Sequence, residues 1–174
     1  MQHNKRMISA IAAIGKNREL GKGNELLWRI PADLKRVREM TTGHPLIMGR
    51  KTFESIVAVR GSSLPGRTSV VLTRDKTWTH EGAVVVHSVH EALQAAEDAE
   101  GGDEIFIFGG EQIYAALLPY TDRLFLTEVS AEDATADAYF PEFKDEFTQE
   151  LLRECAVTDE GLEYCYVTLE RQME

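Results

Sequence analysis

The sequence has few of the residue types that build metal centres, and it has no long hydrophobic run. Only two cysteines, Cys155 and Cys165, and five histidines occur among its 174 residues. Nine residues separate the cysteines, which matches neither a CxxC redox pair nor a zinc ligand set, and no HExxH pair is present. We therefore expect no metal site, and we interpret both cysteines as reduced packing residues of a cytoplasmic protein. No run approaches the roughly 18 apolar residues that a membrane-spanning helix needs.

Positive charge is also scarce, since the formal net charge is -10 at pH 7. A nucleic-acid binder needs a basic face to neutralise phosphates, so this charge argues against nucleic acid as a partner. The acidic residues are unevenly placed, because residues 131–160 contain ten acidic and two basic side chains. The rest of the chain is close to neutral, and a small anionic ligand could bind there.

The N-terminal region allows two interpretations. Lys5 and Arg6 precede the apolar run MISAIAAIG, whose Ala-x-Ala imitates a short signal peptide. The run is short for a signal peptide, and the two cysteines give no sign of an oxidising compartment. We therefore favour a buried strand and a cytoplasmic, monomeric protein.

The pattern of apolar runs predicts a single α/β domain over residues 1–174. Short β-rich runs alternate with helical patterns, which is typical of a mainly parallel sheet with helices on both faces. Helices are expected after Pro31, Lys51, Ser88 and Gly110, the third marked by a capping box of Ser88 with Glu91, and residues 58–67 are expected to form a loop. The tail, FTQELLRECAV and YCYVTLERQ, is expected to form two antiparallel strands joined by a turn at Gly161. The other predicted strands are Ile8–Ile14, Pro45–Met48, Ser69–Thr73, Ala83–Val86, Glu104–Phe108 and Leu124–Val129.

An acid in the stretch LLWRIPADLKR has two possible roles. Pro31 suits the first position of a helix, so Asp33 falls in the first turn, where a carboxylate complements the helix dipole. The alternative is a binding role, since apolar and aromatic residues surround the acid in sequence. The local pattern alone favours the structural role.

Three turns that follow predicted strands could bind phosphates. Ligands of doubly wound sheets bind beyond the carboxyl ends of the strands. MGRKTFESI brings Arg50, Lys51 and Thr52 to a helix start, FGGEQIY puts a glycine pair before another helix, and VVLTRDK ends in Thr73 and Arg74. Each could also be an ordinary exposed or tight turn, and neither a P-loop nor a complete GxGxxG is present. Together they favour a dinucleotide with an extra phosphate, namely NADP.

The connection after the first strand, residues 15–27, is long for a strand-to-helix loop and contains three glycines. Loops of this kind often act as lids, although a mobile surface loop is the simpler interpretation. Leu26, Leu27 and Trp28 argue against a tip that is fully exposed to solvent. We call residues 15–27 the lid loop.

Six motifs between about Met7 and Arg171 resemble the dihydrofolate reductase family. They are ISAIAAIGKNRELGKGNELLWRIPADL, PLIMGRKTFESI, LPGRTSVVLTR, IFIFGGEQIY, LFLTEV and DAYFP. The resemblance implies an eight-stranded sheet with seven parallel strands and an antiparallel last strand, and it makes residues 1–6 an N-terminal extension. It implies that NADPH reduces 7,8-dihydrofolate to tetrahydrofolate for one-carbon metabolism, with hydride transfer to pterin C6 and protonation at N5.

The resemblance also implies roles for individual residues. Asp33 would bind the 2-amino and N3 edge of the pterin, and Thr127 would interact through Asp33 with the same amino group. Arg67 would pair with the substrate's α-carboxylate. A water admitted by the lid loop would carry the proton to N5. The residues carried over as catalytic are Asp33, Trp28, Leu26 and Thr127. Those carried over as substrate-binding are Ile11, Ala12, Asp33, Leu34, Val37, Ile56, Leu64, Arg67, Phe108 and Thr127, and those as cofactor-binding are Ala13, Ile14, Asn24, Gly49, Arg50, Lys51, Thr52, Leu72, Thr73, Arg74, Phe108, Gly109, Gly110, Gln112, Ile113 and Tyr114.

Departures from the family pattern concern access to the site, and two rival functions remain. Leu27 replaces a common proline, Val37 replaces a common phenylalanine, and residues 58–63 lengthen a loop.

The rival functions are a reductase of the same fold acting on a pyrimidine intermediate of riboflavin synthesis, and a catalytically silent nucleotide-binding module.

Overall fold

The computed structural model describes residues 5–173, so only Lys5 and Arg6 of the predicted extension fall within it. Within the described residues the helices are α1 (Pro31–Thr41), α2 (Arg50–Arg60), α3 (Val89–Asp98) and α4 (Glu111–Leu117), followed by a 3-10 turn at Leu118–Tyr120. The strands are β1 (Met7–Ile14), β2 (Glu19–Lys22), β3 (Glu25–Leu26), β4 (Leu46–Gly49), β5 (Ser69–Leu72), β6 (Val84–Val86), β7 (Glu104–Gly109), β8 (Arg123–Val129), β9 (Ala138–Tyr139), β10 (Gln149–Val157) and β11 (Glu163–Glu170).

Eight strands form the main sheet, in the order β10-β11-β8-β1-β7-β4-β5-β6. The pairs from β8 to β6 are parallel, whereas β11 is antiparallel to both β8 and β10. Seven strands therefore run in one direction and the last runs against them, which confirms the predicted sheet. The single-domain α/β class is confirmed as well.

Helices cover both faces of this sheet, as the sequence predicts. Successive residues of the central strands are buried, since Leu46, Ile47 and Met48 are all fully inaccessible. Ile47 packs in the cluster that includes α3 and α4 residues, while Leu46 and Met48 pack with Phe53 of α2 on the other face. Burial on both faces explains why these strands show continuous apolar runs instead of alternation.

Most predicted elements are present, with boundary corrections at a few residues. All six predicted parallel strands occur within one residue of the expected ends, and the tail hairpin turns at Gly161 with φ of +89°. The predicted loop at 58–67 is wrong for its first three residues, because α2 continues to Arg60 and ends on Gly61 at φ of +81°. Ser88 caps α3 as expected, but Glu91 accepts from the backbone N–H of His87 and not from that of Ser88.

The lid loop contains a small sheet that the sequence did not predict. Strand β2 pairs with β3 and with β9, forming a three-stranded antiparallel sheet beside the main one. These strands are only two to four residues long. Because such short pairings carry no periodic apolar pattern, sequence patterning cannot detect them.

The interpretation of Cys155 and Cys165 as reduced packing residues is wrong in this structure. The two residues are opposite one another in the β10–β11 ladder, with Cα atoms 4.0 Å apart, and they form a disulfide. The register of the hairpin brings them together, and the ten-residue separation in sequence did not reveal that register. None of the helices in the described part of the chain has the length and apolarity needed to cross a bilayer.

Candidate active site

A cavity of about 810 Å³ lies at the carboxyl ends of the central strands. The ends of β1, β4, β5 and β7 contribute one wall, and α1 and the lid loop contribute the opposite side. This is the edge at which doubly wound sheets bind ligands. Among the predicted site residues, those that line it are Ile11, Ala12, Ala13, Asn24, Leu26, Trp28, Asp33, Leu34, Val37, Gly49, Arg50, Lys51, Thr52, Leu72, Thr73, Arg74, Phe108, Gly109, Gly110, Gln112, Ile113 and Tyr114.

Asp33 lies in the first turn of α1 and is only 6% exposed. Thr127 of β8 donates its hydroxyl to the Asp33 carboxylate at 2.5 Å. Burial raises the pKa of the Asp33 carboxyl, while the Thr127 hydrogen bond and the charge of Arg36 oppose that rise. A carboxylate in this setting can accept hydrogen bonds from the edge of a flat, nitrogen-rich ring.

Replacement of Asp33 by asparagine is expected to stabilise the ligand-free protein at pH 7. A carboxyl whose folded-state pKa is raised holds its proton more tightly in the folded protein than in the unfolded chain. Stability is therefore lost as the pH rises from the unfolded pKa of about 3.9 through the higher folded pKa. The asparagine side chain does not ionise, so the variant avoids that loss.

Urea unfolding of the ligand-free proteins at several pH values measures this effect. The gain in D33N should shrink as the pH is lowered toward 4. The exposed carboxylate of Asp145 provides a control, because D145N should follow the wild-type pH dependence. A D33N protein that is less stable than wild type at pH 7 would show that burial of the charge carries no cost.

The charge of Asp33 also acts on two tyrosines, Tyr114 and Tyr166. Tyr114 donates its hydroxyl to the Ile11 carbonyl at 2.6 Å, and burial, followed by the Asp33 charge, raises the pKa of that hydroxyl. Tyr166 is the cross-strand partner of Thr127, and burial raises its pKa to about 12. The Arg36 guanidinium lies 4.1 Å over the Tyr166 ring. Both phenols therefore stay neutral at physiological pH, and Asp33 remains the acidic group at this end of the cavity.

The lid loop is fastened to the segment between β8 and β9. The backbone N–H of Gly23 donates to the Asp137 carboxylate at 2.9 Å, and the N–H of Asp137 donates to the Gly21 carbonyl at 3.0 Å. The indole N–H of Trp28 donates to the Glu19 carbonyl at 3.0 Å. These contacts hold the lid loop over the cavity and fix the aromatic ring of Trp28 at its wall.

Side chains of α4 pack closely against glycines at two strand ends. Gly109 adopts φ of +106°, and a Cβ atom there would lie 3.0 Å from the Tyr114 ring. A Cβ atom at Gly49 would lie 3.2 Å from Ile113. Side chains of the protein itself therefore exclude a Cβ atom at both positions, and both glycines line the cavity.

Basic and hydroxyl groups gather at the other end of the cavity. Lys51, Thr52, Thr73 and Arg74 line this end together with Arg50. Arg50 is already paired, since its guanidinium contacts Glu54 at 2.6 Å and Asp75 at 3.1 Å. No carboxylate of the described residues lies within ion-pair distance of Arg74, which leaves its charge for an anionic ligand.

Five predicted site residues do not line the cavity. Thr127 lies behind Asp33 and reaches the site through its hydrogen bond. Ile56 and Leu64 pack with Val37 against the apolar cluster that contains Phe53. Ile14 lines a smaller cavity of about 290 Å³. The Arg67 guanidinium donates to the Pro65 carbonyl and to the Thr41 hydroxyl, and burial, followed by the charges of Arg60 and Arg38, lowers its pKa. Three arginines therefore create a positive region suited to a carboxylate.

Several residues of the site were not predicted from the sequence. Asp137 and Glu19 fasten the lid loop, and His87 lines the basic end with its Nδ1 atom 2.8 Å from the Thr73 carbonyl. Glu19 and Asp137 act through contacts between segments that are more than a hundred residues apart in sequence. Asp137 lies in the acidic segment 131–160 and Glu19 in a stretch of mixed charge, so no local pattern distinguished these two acids.

Comparisons with known proteins agree with this geometry. The family model described as "Dihydrofolate reductase" matches residues 7–171. Dihydrofolate reductase type 3 of Salmonella typhimurium is 42% identical over 168 residues, covering 95% of this chain and 99% of the relative. Dihydrofolate reductase of Staphylococcus haemolyticus is 38% identical over 159 residues, covering 91% of each chain.

A solved structure of a dihydrofolate reductase has a similar fold. Dihydrofolate reductase from Enterococcus faecalis, complexed with NADP(H) and RAB-propyl, superimposes with a TM-score of 0.85 at 32% identity, covering 97% of this chain and 98% of that one. The sheet order, the lid loop over the cavity and the buried Asp33 are thus found in a chain that belongs to the dihydrofolate reductase family.

Proposed function

We propose that this protein is an NADPH-dependent oxidoreductase that reduces 7,8-dihydrofolate to 5,6,7,8-tetrahydrofolate for one-carbon metabolism. The observation that carries the proposal is the buried carboxylate of Asp33, which faces the same cavity as the Gly109–Gly110 turn. A heterocycle bound to Asp33 and a dinucleotide bound to that turn would occupy one enclosed space. Relatives that match nearly the full chain are named for this activity.

The cavity fits a phosphate-bearing dinucleotide at its basic end. Gly49, Gly109 and Gly110 line the cavity, while Thr52, Thr73 and Arg74 offer hydroxyl and guanidinium donors. When bound, NADPH supplies the hydride from C4 of its nicotinamide ring to C6 of the pterin. Ala13, Ile113 and Tyr114 also line the cavity.

The protein's own residues bind and polarise the second substrate. Ionised Asp33 would accept from the 2-amino group and N3 of the pterin, and the Thr127 hydroxyl keeps the carboxylate oriented for that contact. A negative charge in an apolar pocket favours the protonated, electron-poor pterin, which is the better hydride acceptor. We infer that water delivers the proton to N5, and that Leu26 and Trp28 of the lid side control its access.

The positive region around Arg67 supports a role for it in binding the opposite end of dihydrofolate. Arg67 would pair with the α-carboxylate of the glutamate, a bidentate contact that a lysine would make poorly. Arg38 and Arg60 add to the positive potential at this end. Val37, Ile56 and Leu64 pack against one apolar cluster and would contact the part of the substrate between its pterin and its glutamate.

The same proposal includes a cytoplasmic, monomeric protein. Dihydrofolate and NADPH are intracellular compounds, and the proposed reaction would take place where they occur. The disulfide between Cys155 and Cys165 weighs against that location, because disulfides are uncommon in the reducing cytoplasm.

Absorbance at 340 nm with purified protein, NADPH and dihydrofolate tests the activity. We expect a decrease that requires both compounds and that a diaminopyrimidine antifolate abolishes. NADPH without dihydrofolate is the control. Saturable NADPH binding with no oxidation of NADPH in the presence of dihydrofolate would favour the silent nucleotide-binding module.

A further inference from the structure

Glu19, the first residue of β2, carries a carboxylate in an unusual position. The residue is 1% exposed, and none of the described Lys, Arg or His side chains lies within ion-pair distance of it. A buried carboxylate without a cation is costly unless other donors satisfy its oxygens. The surroundings of Glu19 must therefore provide those donors.

Two backbone N–H groups provide them, one to each oxygen. Asn17 donates to Oε1 at 2.6 Å, and Asp133 donates to Oε2 at 2.7 Å. Asn17 belongs to the lid loop, whereas Asp133 belongs to the segment between β8 and β9. The side chain therefore joins two segments that are separated by more than a hundred residues.

The backbone of Glu19 organises the same region. Its carbonyl accepts from the N–H of Gly15 at 3.1 Å and from the indole N–H of Trp28 at 3.0 Å. A Cβ atom at Gly15 would lie within 2.9 Å of Trp28, of the Ala131 carbonyl and of the Glu19 carboxylate. The start of the lid loop, the Trp28 ring and the 131–133 segment thus meet in close contact around Glu19.

We infer that Glu19 is a positioning residue that fastens the base of the lid loop and sets the orientation of Trp28 at the cavity. Asp137 fastens the lid loop elsewhere, through Gly21 and Gly23. The consequence for catalysis rests on the proposed function, because it concerns hydride transfer and cofactor release. The consequence for the lid loop itself does not.

The variant E19Q tests the contact directly. Glutamine has the same length, but it offers one acceptor oxygen, and its NH₂ group would face a backbone N–H. Because glutamine keeps one acceptor oxygen, hydrogen exchange measured by NMR should show about tenfold or greater loss of protection at one or both of the Asn17 and Asp133 amides. Amides of β1 and β8 report that the rest of the protein is folded.

Glu132 offers a matched control, because it is an exposed carboxylate next to Asp133. The variant E132Q removes the same charge from the same segment and should leave both amides protected. Unchanged protection of the Asn17 and Asp133 amides in E19Q would overturn the inference. This measurement involves no substrate, so its outcome is independent of the proposed function.

Kinetics separate positioning from a general loss of stability. In E19Q we expect NADPH dissociation, measured by stopped-flow competition, to be about tenfold faster. We expect single-turnover hydride transfer to be about tenfold slower, with unchanged saturation by dihydrofolate. V167A, which truncates a buried side chain of β11 outside the lid loop, should lower stability and leave both rates unchanged. Equal changes in V167A and E19Q would show that Glu19 acts only through stability.

Discussion

Replacement of Asp33 by asparagine is expected to lower dihydrofolate turnover at pH 7 by about two to three orders of magnitude, the range for loss of one preorganised electrostatic group. Asparagine has nearly the same shape, and its carbonyl can still accept from the Thr127 hydroxyl, so folding should be intact. What is lost is the negative charge that favours a protonated pterin. Steady-state kinetics and NADPH binding, measured on the same preparation, separate these effects.

The pH dependence makes the prediction more specific. Burial raises the pKa of Asp33, so in wild-type protein the ionised form is lost on acidification at a higher pH than the ordinary value of about 3.9. The D33N profile should lack that inflection, and its turnover should recover partly in acid, where the substrate arrives already protonated. T127V is a useful comparison, because it keeps the carboxylate and removes only its 2.5 Å hydrogen bond. Turnover of D33N equal to wild type at pH 7 would contradict the assigned role.

The sequence predicted the parts of the fold that are determined locally. Strands such as Leu46–Gly49 are apolar on both faces, and the helix at Pro31 begins with a residue whose fixed φ suits that position. The turns proposed to bind phosphates were also detectable, because each has a short local signal: Gly49 followed by two cations and Thr52, the pair Gly109–Gly110 before a helix, or Thr73 next to Arg74. Asp33 was ambiguous, because a first-turn acid satisfies the helix dipole whether or not it binds a ligand.

Contacts between distant segments were not predictable in this way. The carboxylate of Glu19 and the N–H of Asp133 meet only after β8 and β1 have paired. The Cys155–Cys165 pair depends on hairpin register, which includes an irregularity near Glu150 and Leu152. A register error of one residue would place the two cysteines on opposite faces. Both the Glu19–Asp133 contact and the Cys155–Cys165 disulfide therefore depend on how strands pair in the folded chain, and not on a local sequence pattern.

Arg50 and Arg74, both predicted from the sequence to bind the cofactor, differ in their ion pairing in the structure. Arg50 and Arg74 both line the basic end of the cavity. Arg50 contacts Glu54 and Asp75, so two carboxylates already offset its charge. Arg74 has no such partner among the described carboxylates. An additional phosphate on the dinucleotide would therefore interact more strongly with Arg74.

Replacement of Arg74 by glutamine is accordingly expected to weaken NADPH binding by about tenfold, the lower end of what a hydrogen bond to a charged group contributes, because this site is exposed. NADH, which lacks the 2′-phosphate, should bind the variant as it binds wild type. Fluorescence titration with both cofactors at two salt concentrations measures the effect, and the salt dependence of NADPH binding should also fall. K76Q removes an exposed charge two residues away and should change neither affinity. Equal losses for NADPH and NADH in R74Q would mean that Arg74 does not distinguish the two cofactors by their phosphate, and the selectivity would then have to come from Lys51, Thr52 or Thr73.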